Sequence, residues 1–118
     1  MQRVKQGEVF LANVAPRIGF ETDLASGRQL VVVAQGNALN SVLESVLVVP
    51  LIPAARNTPR YVLDVPVPGA EISTTREHVA PAHLLRPLAI SRLEPGPIGK
   101  LSPATLAKLL TAVRRLFQ

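Results

Sequence analysis

The sequence predicts a small, mainly β domain: a barrel or curled sheet with one C-terminal helix docked against it. Three observations predict it. Five runs rich in Val, Ile and Leu come first, Gly and Pro punctuate the intervals between them, and one segment with helical spacing closes the chain. The 118 residues suit a single domain over 1–118, long enough to bury a core without staples.

Glu8 to Ala15 alternates as a half-buried strand does, with Val9 and Leu11 on one face and Phe10, Ala12 and Val14 on the other. Leu30–Ala34 and Ser45–Leu51 are continuously apolar and rich in β-branched residues, which suits central strands covered on both faces. Pro59–Val67 reads as a further strand, confined to an edge because Pro66 has no N–H to give a ladder. A short strand at Glu77–Ala80 and a turn or helical piece through Pro81–Arg86 follow. Ser102-Pro103 then opens a helix, the hydroxyl as N-cap and the proline where a missing N–H costs nothing. Leu106, Leu109, Leu110, Val113, Leu116 and Phe117 fall on its apolar stripe, while Lys108, Arg114 and Arg115 lie off it, the two arginines near the negative end of the helix dipole.

With no cysteine, disulfides, thiol catalysis and thiolate zinc sites are excluded, and two histidines, His78 and His83, make a dedicated metal centre an unfavoured reading. A net charge of +5 favours a polyanionic partner, but an aromatic content of 3% argues against a base-stacking platform. Much of that charge has a structural use. Up to residue 59, five basic side chains face four acidic ones, and the surplus is concentrated later, with Lys100, Lys108, Arg114 and Arg115 on or near the last helix. The most apolar stretch, Val46–Ile52, is far short of the ~20 residues of a membrane span. The first residues carry no apolar leader, so a cytoplasmic location is expected. The interval Pro16–Gln29 exceeds what a tight hairpin needs and gathers Arg17, Glu21, Asp23 and Arg28, which marks it as a candidate binding or lid loop.

Taken in order, Gly7–Val14, Pro16–Glu21, Val31–Val33 with Asn37–Asn40, Val46–Leu51, His78–Ala80, Ile90–Leu93 and Ile98–Leu106 form a collinear set. That set resembles the MazF/PemK family of toxin–antitoxin endoribonucleases over essentially the whole chain. The resemblance implies an SH3-like β-barrel of the CcdB/MazF type, a homodimer, and a concave face that takes single-stranded RNA, such as mRNA, or a cognate antitoxin. It also implies RNA cleavage without a metal or other cofactor, by attack of a 2'-hydroxyl on the adjacent phosphate. Such chemistry needs two proton-handling groups and fixed positive charge where the phosphorane develops.

The departures from the family pattern cluster at its polar positions. The arginine-proline pair opening the second strand falls on Gln29-Leu30, the threonine after the third-strand Pro-Leu on Ile52, and the Asp-Gln pair of the fourth block on His83-Leu84. Glutamine supplies neither permanent charge nor a bidentate fork. Arg28 would take the arginine's place if a bulge near Gln35-Gly36 added a residue, and would otherwise point to the opposite face. The catalytic candidates are therefore Arg28 as phosphate clamp and proton donor, Glu21 as a first-loop group that positions RNA or the arginine, and His83 as acid or base, with His78 a weaker one; the RNA-binding candidates are Arg17, Gln29, Asn40 and Arg56. The alternative is a degenerate member of the fold that binds an antitoxin, nucleic acid or a protein such as DNA gyrase without cleaving RNA.

Overall fold

The computed structural model describes residues 2–14, 27–54 and 62–118. Among them, a five-stranded antiparallel sheet runs in the order β7-β3-β2-β1-β8, built from β1 (Glu8–Asn13), β2 (Arg28–Val33), β3 (Ser45–Pro50), β7 (Arg86–Ala89) and β8 (Gly99–Lys100). A three-stranded sheet runs β4-β6-β5, from β4 (Ile52–Pro53), β5 (Asp64–Val67) and β6 (His78–Pro81). The chain passes from one sheet to the other at Leu51, between β3 and β4, which wraps the strands into the expected barrel-like form.

Strand β2 is covered on both faces from Gln29 onward, as its unbroken apolar run requires, whereas β3 is covered on both only from Val48 to Pro50, Ser45 and Leu47 being exposed on its other face. From β2, Val32 enters a cluster with Val9, Val49, Leu51, Val65 and Val67, while Val31 and Val33 enter another with Phe10, Ala12, Val46 and Val48. The first cluster lies beneath the C-terminal helix, α2 (Pro103–Arg114), which contributes Leu109 and Ala112; the second includes Val4, Ile90 and Leu93 from outside the strands. The Pro66-bearing strand β5 is at a sheet edge, as its missing N–H dictates.

Helix α2 begins as its sequence prescribes. Ser102 Oγ accepts from Thr105 N at 3.2 Å, and Pro103 occupies the first turn. A residue distant in sequence completes the cap: the Glu71 carboxylate accepts from Ser102 N at 2.7 Å and from Thr105 Oγ1 at 3.0 Å, placing negative charge at the positive end of the helix. Gly99 permits this approach, since a Cβ there would lie 2.4 Å from the Glu71 carbonyl oxygen.

Three expectations are refined. The piece within Pro81–Arg86 is a 3-10 turn, Ala82–Leu84, and the next residues form β7, whose Arg-Pro-Leu-Ala sequence carries no strand periodicity of its own. The part of Pro59–Val67 among the described residues is a strand only from Asp64. Phe117 does not complete the apolar stripe: the α-helix tightens to a 3-10 turn at Arg115–Phe117, the period drops from 3.6 to 3, and the ring is 78% exposed. Truncating the fully buried Leu109 to Ala is expected to cost about 2–5 kcal/mol in urea unfolding. The same measurement on Phe117→Ala should stay within about 0.5 kcal/mol of the parent.

Candidate functional site

Alternation along β2 sends two adjacent polar residues to opposite faces. Gln29 turns inward and is 7% exposed; its Nε2 donates to the Leu51 carbonyl at 2.8 Å and the Leu30 carbonyl at 3.0 Å. The β2–β3 register pairs Val31 with Pro50, and Leu51 N donates to Leu30 O at 2.8 Å. Carried one step further, that register sets Gln29 beside Ile52. The two positions where the resemblance implies an arginine and a threonine are thus neighbours, but one amide is spent on backbone carbonyls and the other side chain is a hydrocarbon. Neither offers charge to a phosphorane.

Arg28 faces the other way. It pairs with Asn13 across the β1–β2 ladder, and its Nε donates to Glu94 Oε2 at 2.7 Å, with Nη2 meeting the same oxygen. Glu94 is held beside β1 by its own N–H on the Leu11 carbonyl at 2.8 Å, so the ion pair spans β1 from both sides. Side-chain exposures of 45% and 36% leave it well hydrated, worth about 0–1 kcal/mol. A β-bulge does follow: Ala34 N and Gln35 N both donate to Leu47 O, at 3.0 and 3.3 Å. It lies beyond the β2 ladder, and Gln29, not Arg28, shares the face of Ile52.

Asn40, at the end of the short helix α1 (Asn37–Asn40), is buried. Its Oδ1 accepts from Gln35 Nε2 at 2.9 Å and its Nδ2 donates to Gln35 O at 2.8 Å, a reciprocal pair that fixes the turn after β2. His83 is exposed on the Ala82–Leu84 turn, which packs against α2, β3 and β5. His78 is buried, with Nδ1 2.9 Å from the Arg76 carbonyl. Arg17, Glu21 and Arg56 lie outside the described residues. The structure therefore brings Gln29 and Ile52 together and sets Arg28 on the opposite face. Sequence reasoning singled out neither Glu94 nor Asn13 as a partner of Arg28. Glu94 is 66 positions away, and no local pattern announces such a pairing.

The same fold occurs in solved structures. MazF from Deinococcus radiodurans superposes with a TM-score of 0.75 at 22% identity, covering 99% of this chain and 98% of that one. A MazE–MazF complex from the same organism gives 0.73 at 22%, covering 98% and 97%. A mycobacterial endoribonuclease in complex with its cognate antitoxin gives 0.72 at 20%, covering 99% and 95%. No curated protein matches in sequence. These likenesses define the architecture as the MazF-type barrel with its C-terminal helix. The family model of the PemK-like, MazF-like toxins of type II toxin–antitoxin systems matches residues 5–117, and the chain belongs to that family. Among the described residues, no helix is long and apolar enough to cross a membrane.

The Gln29 arrangement makes a measurable prediction. Gln29→Glu replaces a donor with an acceptor beside the Leu51 carbonyl, at an expected cost of about 1–3 kcal/mol at pH 7. Burial raises a carboxyl's folded pKa above its unfolded value, so the penalty grows as pH rises and shrinks where the acid is protonated and can donate. Urea unfolding of variant and parent should differ widely at pH 7 and converge toward pH 4.

Proposed function

We propose that this toxin acts on single-stranded RNA as a metal-independent endoribonuclease and is held in check by a cognate antitoxin. The observation that carries the reading is the family match across residues 5–117. In the reaction, a ribose 2'-oxygen bonds to the adjacent phosphorus as the bond from phosphorus to the 5'-oxygen breaks, leaving a cyclic phosphate and a 5'-hydroxyl. The 2'-hydroxyl proton passes to a base, and the departing oxygen takes a proton from an acid. We assign phosphate binding to Arg28, whose guanidinium is exposed and permanently charged. Proton handling is assigned to Arg28 and His83, positioning of the RNA or the arginine to Glu21, and further RNA contacts to Arg17 and Arg56. Gln29 and Asn40, buried and bonded within the fold, support the site by holding its frame.

The toxin is further proposed to work as a homodimer. Leu39, Val42, Leu43 and Leu47, exposed by 51%, 72%, 42% and 37%, gather around α1 and the start of β3, an apolar surface that a second copy would cover. Sedimentation velocity should find a dimer in the parent and a shift to monomer in Val42→Glu/Leu43→Glu.

A second reading has its own support. The Gln29–Leu51 bond and the hydrocarbon of Ile52 remove the polar pair on that face, which favours a chain that binds RNA or antitoxin without cutting. A long RNA incubated with the purified protein in EDTA decides between them. The endoribonuclease reading expects fragments with 5'-hydroxyl ends. Intact RNA with the parent at high concentration, alongside cleavage by Gln29→Arg/Ile52→Thr, would establish the second reading instead.

A further inference from the structure

Where β1 ends, three exposed polar residues stand abreast. Asn13 is the last residue of β1, Arg28 is its partner in β2, and Arg92 approaches from the segment on the other side, its Nη1 donating to the Asn13 carbonyl at 3.4 Å. That segment is fixed to β1 by the Ala12–Leu93 bridge and by Glu94 N on Leu11 O at 2.8 Å. It is anchored from the N-terminus as well: Gln2 Nε2 donates to the Glu94 carbonyl at 3.2 Å, and Gly96 N donates to Gln2 Oε1 at 3.1 Å. Two guanidinium groups are thereby mounted on fixed backbone on either side of one carboxamide, and among the described residues the Glu94 carboxylate is turned onto Arg28. Guanidinium and amide donors set on neighbouring backbone segments, here β1, β2 and the 3-10 turn Ile90–Arg92, are the groups that recognise phosphate oxygens without reading sequence.

We propose that Arg28, Asn13 and Arg92 form a phosphodiester-binding row for RNA, on the face of the sheet opposite Gln29, with Glu94 as a resident counter-ion that an RNA phosphate displaces. The inference rests on the RNA reading above and deepens it by placing backbone contacts away from the Gln29–Ile52 neighbourhood. Glu94 meets Arg28 through one carboxylate oxygen, an anionic acceptor of the kind a phosphate oxygen also supplies, and the pair is exposed enough to exchange one anion for another. RNA binding to this row is therefore in competition with an internal carboxylate. Removing that carboxylate should strengthen binding, an effect that loss of folding cannot imitate.

The test measures the affinity of a fluorescein-labelled single-stranded RNA by anisotropy across a salt series, with full-length parent, Arg92→Ala, Arg28→Ala and Glu94→Gln. Arg92→Ala and Arg28→Ala should each weaken binding roughly tenfold and lower the slope of log K against log salt by about 0.7, the contribution of one phosphate on a single strand. Glu94→Gln should tighten binding about threefold or more with the slope preserved or raised. Arg92→Lys, which keeps a charge, should recover part of the loss. If the parent binds RNA but Glu94→Gln and Arg92→Ala leave affinity and slope unchanged, the row is overturned while the RNA reading survives. If neither the parent nor Glu94→Gln binds RNA at low salt, both fall.

Discussion

The constraint on which the rest of this molecule depends is the burial of both faces of β2. A strand flanked by β1 and β3 and packed above and below has no tolerance for a one-residue slip, because its side chains alternate strictly between two cores. Val32 and Leu30 belong with one core, Val31 and Val33 with the other. The same parity reaches the polar end of the strand. It drives Gln29 into the protein, where its amide must find the Leu51 and Leu30 carbonyls, and delivers Arg28 to solvent and Glu94. Packing at Val31–Val33 thus determines which polar residue is available to a ligand.

The crossing at Leu51 follows from the same register. Leu51 pairs back onto Leu30 and fills the core beneath α2, and the next residue starts the second sheet, so Ile52 meets Gln29 on one side while its backbone pairs with Val79. Helix α2 covers the core this creates, with Glu71, Ser102 and Thr105 satisfying its first turn. Gly99 lets the Glu71 segment approach, and the neighbouring residues Ile98–Leu101 pair along β1, so cap, helix and sheet edge are tied together.

How much of this is legible in one sequence depends on whether the cause is local. The alternation of Val9–Val14, the apolar runs of β2 and β3, and the Ser102-Pro103 helix start are local facts, and the elements follow. The two-residue strands β4 and β8 and the proline-bearing β7 are strands only because a neighbour pairs with them. At the candidate site the pattern repeats. That Arg28 and Gln29 face opposite ways follows from strand parity. That Glu94 would neutralise Arg28, or that Asn40 would spend its amide on Gln35, is tertiary. A bulge near Gln35-Gly36 is foreseeable in kind and is found at Ala34–Gln35, but it does not bring Arg28 to the face of Ile52. The shift falls beyond the ladder that fixes Arg28.

These geometries bear on how a toxin of this family could work with a glutamine where a charged fork is expected. A neutral amide already bonded to two carbonyls has little to give a developing negative charge, and isoleucine has no donor at all. If the chain cleaves RNA as proposed, the fixed positive charge has to come from elsewhere in the fold. The end of β1 is one place among the described residues where two guanidinium groups flank a strand, Arg28 on the paired strand β2 and Arg92 reaching the Asn13 carbonyl from the 3-10 turn Ile90–Arg92. Phosphate binding and bond cleavage need not coincide there. In that proposal a row of arginines restrained by Glu94 would hold the RNA backbone, while the chemistry would depend on how His83 and the first loop meet the 2'-hydroxyl and the leaving oxygen. On the proposed reading, separating those two tasks would reconcile the family's frame and basic character with the apolar and amide side chains at Ile52 and Gln29.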